Sequence, residues 1–189
     1  GNNNHGQIYS GRGLEFDGVS DYLDLGDTTF IDFSAQSTTA EKAWTVSAWI
    51  NYDAVGSSRQ NIIGANNGAA AGTIAISPDE KLYIYDHGAN TGREGNTILK
   101  PLTWYRAVWV FNGSDTVTFY LNGVADGTAA IGVDGDNYDL RFQYIGIWDA
   151  SARIFAGKMS DLQAWQGAWS ASDALYDYLN PESLALNNG

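Results

Sequence analysis

Glu15 and Asp17 stand two residues apart in the stretch LEFDG, with Asp21 four residues beyond. Carboxylates at alternate positions of a strand share one face, about 6.5–7 Å apart along it. Retaining glycoside hydrolysis uses two carboxyl groups about 5–5.5 Å apart, one as nucleophile and one as acid. Here Gly18 interrupts the strand, and positions 19 and 20 are Val and Ser, so no third carboxylate continues the row. The pattern therefore predicts no enzyme. His5 and His87 stand apart from any Ser in a nucleophile elbow, and no phosphate-binding or dinucleotide fingerprint occurs.

Binding chemistry is better represented. In KLYIYDHGAN, Tyr83, Tyr85 and His87 alternate along a predicted strand and share one face beside a Gly-Asn-rich loop. Trp148 and Asp149 follow the end of another predicted strand, and Trp109 stands in a third. A sugar presents an apolar C–H face and a ring of hydroxyls, so aromatic faces with nearby polar groups are the side chains that suit it. We take Tyr83, Tyr85, His87, Trp109, Trp148 and Asp149 as ligand-binding candidates. Residues 133–139 (VDGDNYD) place carboxylates at 134, 136 and 139. They lack the EF-hand order of Gly at the sixth position and Glu at the twelfth, and read as a solvated acidic turn.

Composition narrows the partners. The 189 residues carry 22 acidic against 10 basic side chains, a net charge of −12. Such a field repels phosphate, which excludes nucleic acid and an anionic membrane surface as expected partners. Only five of the acids are Glu (15, 41, 80, 94 and 182); the rest are Asp, which favours turns over helix surfaces. There is no cysteine, hence no disulfide and no thiol chemistry. No apolar run reaches the ~18 residues of a membrane span. The chain starts on Gly rather than Met, and a module cut from a larger protein is the expectation.

The elements that must position these residues are strands. The run WTVSAWINY from Trp44 alternates Val46, Ala48 and Ile50 against Thr45, Ser47 and Trp49. Further strands are predicted at 61–64, 72–77, 81–86, 104–111, 116–121, 142–148, 153–156 and 158–165. Turn signals at Asp17-Gly18, Pro78-Asp79, 112–115 and Asn122-Gly123 separate several of them. A strand plus turn every 8–12 residues predicts an all-β antiparallel sandwich or barrel. One helix is predicted: Ser170 and Asp173 form a capping box, Leu175, Tyr178 and Leu179 follow at i, i+3, i+4, and Pro181 stops it. Residues 1–11 read as a loose lead-in to one domain covering 1–189, with a tail at 182–189.

Five stretches carry a resemblance: LEFDGVSDYLDLG (14–26), WTVSAWI (44–50), LTWYRAVWVFNGSDTVTFYLNGV (102–124), YIGIW (144–148) and FAGKMSDLQAWQGAWSASDALYDYLNP (155–181). In this order they resemble laminin-G-like domains of the concanavalin A-like lectin/glucanase superfamily. The opening GQIYSGRGLEFDG and the ending DYLNPESLALNNG further resemble such domains in structural proteins of marine bacteriophages. The resemblance implies a two-sheet jelly roll with ligand loops at its rim. It implies core positions for Phe16, Trp49, Trp104 and Trp165. It also implies a structural Ca²⁺ ion with Asp161 as ligand, and further oxygens from the Asp17–Gly18 turn and Asp21. The same carboxylates serve equally as acceptors for turn N–H groups. The function implied is a non-catalytic module of a larger extracellular or virion structural protein. It would bind a glycan or a host or virion surface protein, with any homo-oligomerisation passing through the parent protein. A structural decoration or assembly domain without a glycan ligand is the alternative, and a glycoside hydrolase or polysaccharide lyase is third.

Overall fold

The computed structural model describes residues 7–9, 13–26, 43–54, 56–64, 73–86, 91–131, 143–148 and 153–181. Along the chain the strands are β1 (Gln7–Tyr9), β2 (Gly13–Asp17), β3 (Leu23–Asp24), β4 (Trp44–Tyr52), β5 (Gln60–Gly64), β6 (Thr73–Ile76) and β7 (Leu82–Asp86). They continue as β8 (Thr91–Glu94), β9 (Tyr105–Phe111), β10 (Thr116–Leu121), β11 (Val124–Ala130), β12 (Tyr144–Ile145) and β13 (Ala156–Gln166). A helix, α1 (Ala171–Leu179), follows. Among the described residues every pairing is antiparallel. One sheet has seven strands in the order β1-β2-β13-β4-β9-β10-β11, and the other six in the order β3-β12-β5-β6-β7-β8. The chain is a two-sheet antiparallel β-sandwich, in keeping with its alternating pattern.

The core lies between the sheets because side chains alternate across each strand. From β4 the inward set is Trp44, Val46, Ala48, Ile50 and Tyr52, all without solvent exposure. From β7 it is Leu82 and Ile84, which leaves Tyr83 and Tyr85 on the outer face of the six-stranded sheet. Thr45 and Ser47, on the outer face of β4, are also buried. A second apolar cluster of Val108, Val110, Tyr120 and Ala174, with Trp169 against it, covers part of that outer face.

The helix has the predicted cap: the Ser170 hydroxyl accepts from the Asp173 N–H, and the Asp173 carboxylate accepts from the Ser170 N–H at 2.8 Å. Its packed face differs from the expected one. Ala174 and Asp177 are buried, whereas Leu175 and Leu179 are exposed. The reason is Arg106 on β9, buried beneath the helix, which draws a carboxylate rather than a leucine into contact.

Four further boundaries differ from the sequence pattern. Residues 7–9 pair with β2 instead of forming a loose lead-in. Strands β8 and β11 were not expected, because TGRE and VADGTAA carry few β-branched or aromatic residues; their neighbours β7 and β10 impose the pairing. The strand predicted at 158–165 is β13, Ala156–Gln166, whose register shifts between Ser160 and Gln163, while residues 153–155 of the strand predicted at 153–156 lie outside any strand.

Candidate functional site

The outer face of the six-stranded sheet gathers aromatic and cationic side chains at one place. Register aligns Asn61 (β5), Ala75 (β6), Tyr83 (β7) and Glu94 (β8) in one row, and Thr73, Tyr85 and Gly92 in the next. Opposite residues of an antiparallel pair share a face, so these side chains surround one patch. The Tyr83 and Tyr85 rings stack at 6.3 Å with 21° between planes. Gly92 makes room for this: a Cβ there would stand 2.0 Å from the Tyr83 hydroxyl oxygen. Tyr83 therefore leans diagonally across β8.

Arg59, just before β5, extends over both tyrosines. Its guanidinium carbon lies 4.3 Å from the Tyr85 ring centroid, 5.7 Å from Tyr83 and 5.9 Å from Trp148. Arg153 covers Trp148 at 4.1 Å. Two backbone contacts bring that far segment here. The Asn61 N–H donates to the Arg153 carbonyl at 3.0 Å. Gly64 lets the chain at Trp148 pass close by, since an added Cβ would lie 2.7 Å from the Trp148 Cα.

The polar groups of this patch are unusual. Asn61 and Thr73 have no exposed surface, yet the Asn61 amide, both its O and its N, and the Thr73 hydroxyl lack a hydrogen-bond partner among the described residues. The same holds for Arg59 Nε and one terminal nitrogen of Arg153. A buried polar atom left unpaired costs about 1–3 kcal/mol, and most such atoms in proteins find a partner in protein, water or ligand. Burial, followed by the charge of Arg153, pulls the Arg59 pKa below its ordinary value. Burial raises the Tyr83 phenol, partly offset by the nearby Arg59 cation and their shared hydrogen bond. The cluster presents stacked rings and two cations to whatever lies above it, with the unpartnered amide and hydroxyl of Asn61 and Thr73 buried below.

Of the predicted ligand residues, Tyr83, Tyr85 and Trp148 meet in this cluster. His87 and Asp149 lie outside the described residues. Trp109 is a correction. It has no exposed surface, and its indole Nε1 crosses the sandwich to donate to the Tyr83 carbonyl at 3.2 Å. It supports the strand bearing Tyr83 from beneath. Among the rings expected in the core, Phe16 is there at 1 % exposure, while Trp104 is 44 % exposed because it precedes β9. Trp49 and Trp165 are half-buried on the outer face of the seven-stranded sheet, against Tyr178 and Trp169.

Of the residues expected to hold Ca²⁺, Asp17, Gly18 and Asp21 lie in one turn and Asp161 lies apart from it. Asp17 and Asp21 do come together, but as a turn. One Asp17 oxygen accepts from the N–H groups of Val19, Ser20 and Asp21 at 2.7–3.0 Å, and the Asp17 N–H donates to Asp21 at 3.1 Å. These backbone bonds pull the Asp17 pKa down to about 2. Their positive ends also point to where a cation would sit, and Gly18 serves only to turn the chain, at φ +70°. Asp161 is elsewhere. Ala156 pairs with Asp17, which places Asp161 about 16 Å further along β13. There, at the β13 irregularity and with φ +48°, it lies 3.0 Å from Arg106. No group of three or more metal-ligating side chains occurs among the described residues. Residues 133–139 lie outside them. Asp17, held well below neutrality, also cannot serve Glu15 as a proton donor.

Arg106 explains Asp161. It is fully buried, and its Nε and one terminal nitrogen grip the Asp177 carboxylate at 2.6 and 2.7 Å. That same terminal nitrogen also donates to the Ser47 hydroxyl, and the other terminal nitrogen donates to the Asp161 carbonyl. Burial raises the Asp161 pKa, and the Arg106 charge opposes the rise.

With this geometry established, the comparison with known families is direct. Residues 17–174 match Laminin_G_3, of the concanavalin A-like lectin/glucanases superfamily. The chain belongs to that family. No curated protein matches this laminin-G-like domain in sequence. Solved structures share its fold at low identity. The binding domain of Paraclostridial Mosquitocidal Protein 1 superposes with a TM-score of 0.67 at 14 % identity, over 92 % of this chain and 45 % of that one. A protein of Bacteroides ovatus ATCC 8483, assigned to carbohydrate binding, gives 0.60 at 19 %, over 82 % and 43 %. Botulinum neurotoxin type C, whose cell entry depends on interaction with two ganglioside molecules, gives 0.56 at 12 %, over 73 % and 35 %. The laminin-G-like domain thus spans less than half the length of each. No helix among its described residues is long and apolar enough to cross a membrane.

The site residues that sequence reasoning missed are Arg59, Arg153, Asn61 and Thr73. The only local signal was charge: two of ten basic residues in an acidic chain sit beside predicted strands.

Proposed function

We propose that the laminin-G-like domain is a non-catalytic carbohydrate-binding module whose site is the patch of Arg59, Tyr83, Tyr85, Trp148 and Arg153. The observation that carries this is the outer-face cluster of stacked Tyr83 and Tyr85 rings and Trp148, joined by two arginines with no carboxylate partner among the described residues. Sugars fit both halves of it. Their C–H faces cover aromatic rings, and their hydroxyls donate and accept hydrogen bonds. The toxin binding domains and the Bacteroides protein support the reading at the level of fold. A larger extracellular or virion structural protein as the parent belongs to the same proposal; in the three structures named above this fold fills less than half of a longer chain.

The test is a glycan array followed by calorimetric titration of the hits, with wild type and Tyr85→Ala. Binding that falls at least tenfold in Tyr85→Ala, at an unchanged melting temperature, supports the site. Binding that survives places it elsewhere, and silence across the array returns the domain to a structural or assembly role.

A further inference from the structure

The two arginines of the patch differ from the other buried arginine in the way their charge is met. Arg106 has two carboxylates within 3.0 Å. Arg59 and Arg153 have none among the described residues, in a chain with 22 acidic side chains. Their guanidiniums instead converge on one ring, 5.9 and 4.1 Å from the centroid of Trp148. Two like charges held together over an aromatic face repel, and Arg59 is half-buried as well. Guanidinium nitrogens are donors only. What satisfies the free Arg59 Nε and Arg153 nitrogen together is an acceptor, and an anion bonds them more strongly than a neutral oxygen.

We propose that the site recognises an acidic sugar, with the carboxylate or sulfate of one residue held between Arg59 and Arg153 while the ring packs on the adjoining aromatic side chains. This rests on the carbohydrate-binding reading and narrows it. The chain's charge of −12 opposes long polyanions, so the local pair of cations selects a short acidic epitope.

The experiment titrates the intact domain with oligouronates, sialyllactose and sulfated galactan oligosaccharides. Lactose, carboxyl-reduced oligouronates and desulfated galactan oligosaccharides are the neutral counterparts. The expected result is at least tenfold tighter binding of an acidic ligand than of its neutral form. That preference should shrink several-fold in Arg153→Gln and in Arg59→Lys, which keeps the charge but loses the planar fork. The carboxylate and sulfate arms tell which anion is read. Equal affinity for acidic and neutral forms overturns the inference while leaving a carbohydrate site in place. No binding of any sugar overturns both. A preference unaffected by either variant, with melting temperatures intact, assigns the anion to other residues and also overturns it.

Discussion

Gly92 is the residue on which the shape of the site depends most simply. Its missing Cβ leaves the space the Tyr83 hydroxyl occupies, on the outer face of the sheet. Gly92→Ala therefore displaces the Tyr83 ring without entering the core. Glycan affinity should fall several-fold while the melting temperature changes by a few degrees at most, as titration and calorimetry would read. An unchanged affinity would remove Tyr83 from the site. Asp17 makes a different prediction. Its folded pKa of about 2 lies below the roughly 3.9 of an unfolded Asp. The folded state thus gains stability from the ionised form, fully present above about pH 4 and lost as pH falls through 2. Asp17→Asn keeps the turn acceptor and removes the titration. Its urea midpoint should fall less between pH 4 and pH 2 than that of wild type, and parallel curves would contradict this. Residue by residue, the sequence shows the tyrosines plainly, because Tyr83 and Tyr85 alternate with the buried Leu82 and Ile84. It does not show Arg59 and Arg153, which reach the same patch from segments far apart in the chain through the β5–β6–β7 order.

At the scale of elements, the C-terminal helix illustrates what periodicity can and cannot show. The capping box of Ser170 and Asp173 was legible because cap chemistry is local. The packed face was not, because Leu175 and Leu179 offered a better apolar stripe than Ala174 and Asp177. The deciding group, Arg106, sits on β9 and needs a carboxylate once it is buried. Asp177→Ala leaves that cation without its main partner, which costs about 3–5 kcal/mol in comparable cases. The low end applies, since Asp161 remains 3.0 Å away. Denaturant unfolding would measure the loss, and a change under 1 kcal/mol would show that the pair does not hold the helix. Trp109 shows the same limit from the other side. Its alternation placed it inward, but only the packing of the two sheets reveals that its indole reaches the Tyr83 carbonyl.

For the whole molecule, the sandwich and its laminin-G-like order of strands were readable because period-2 alternation and turn chemistry repeat along the chain. Asp161 stands apart from the Asp17 turn with which it was expected to share a calcium ion, for a reason of register. Strand β13 carries Asp161 away from the Asp17 turn and towards Arg106. Binding specificity in such folds resides in side chains grafted on a common frame. The central claim is therefore a claim about one patch. The most direct test is NMR titration of the isotope-labelled domain with the best array ligand, following indole and arginine Nε–H signals. The account predicts that the Trp148 indole and the Arg59 and Arg153 Nε–H resonances shift together, saturating with the calorimetric affinity, while the exposed Trp104 stays still. Shifts centred on Trp104 or on the seven-stranded sheet, with the Arg59 and Trp148 signals unmoved, would contradict it.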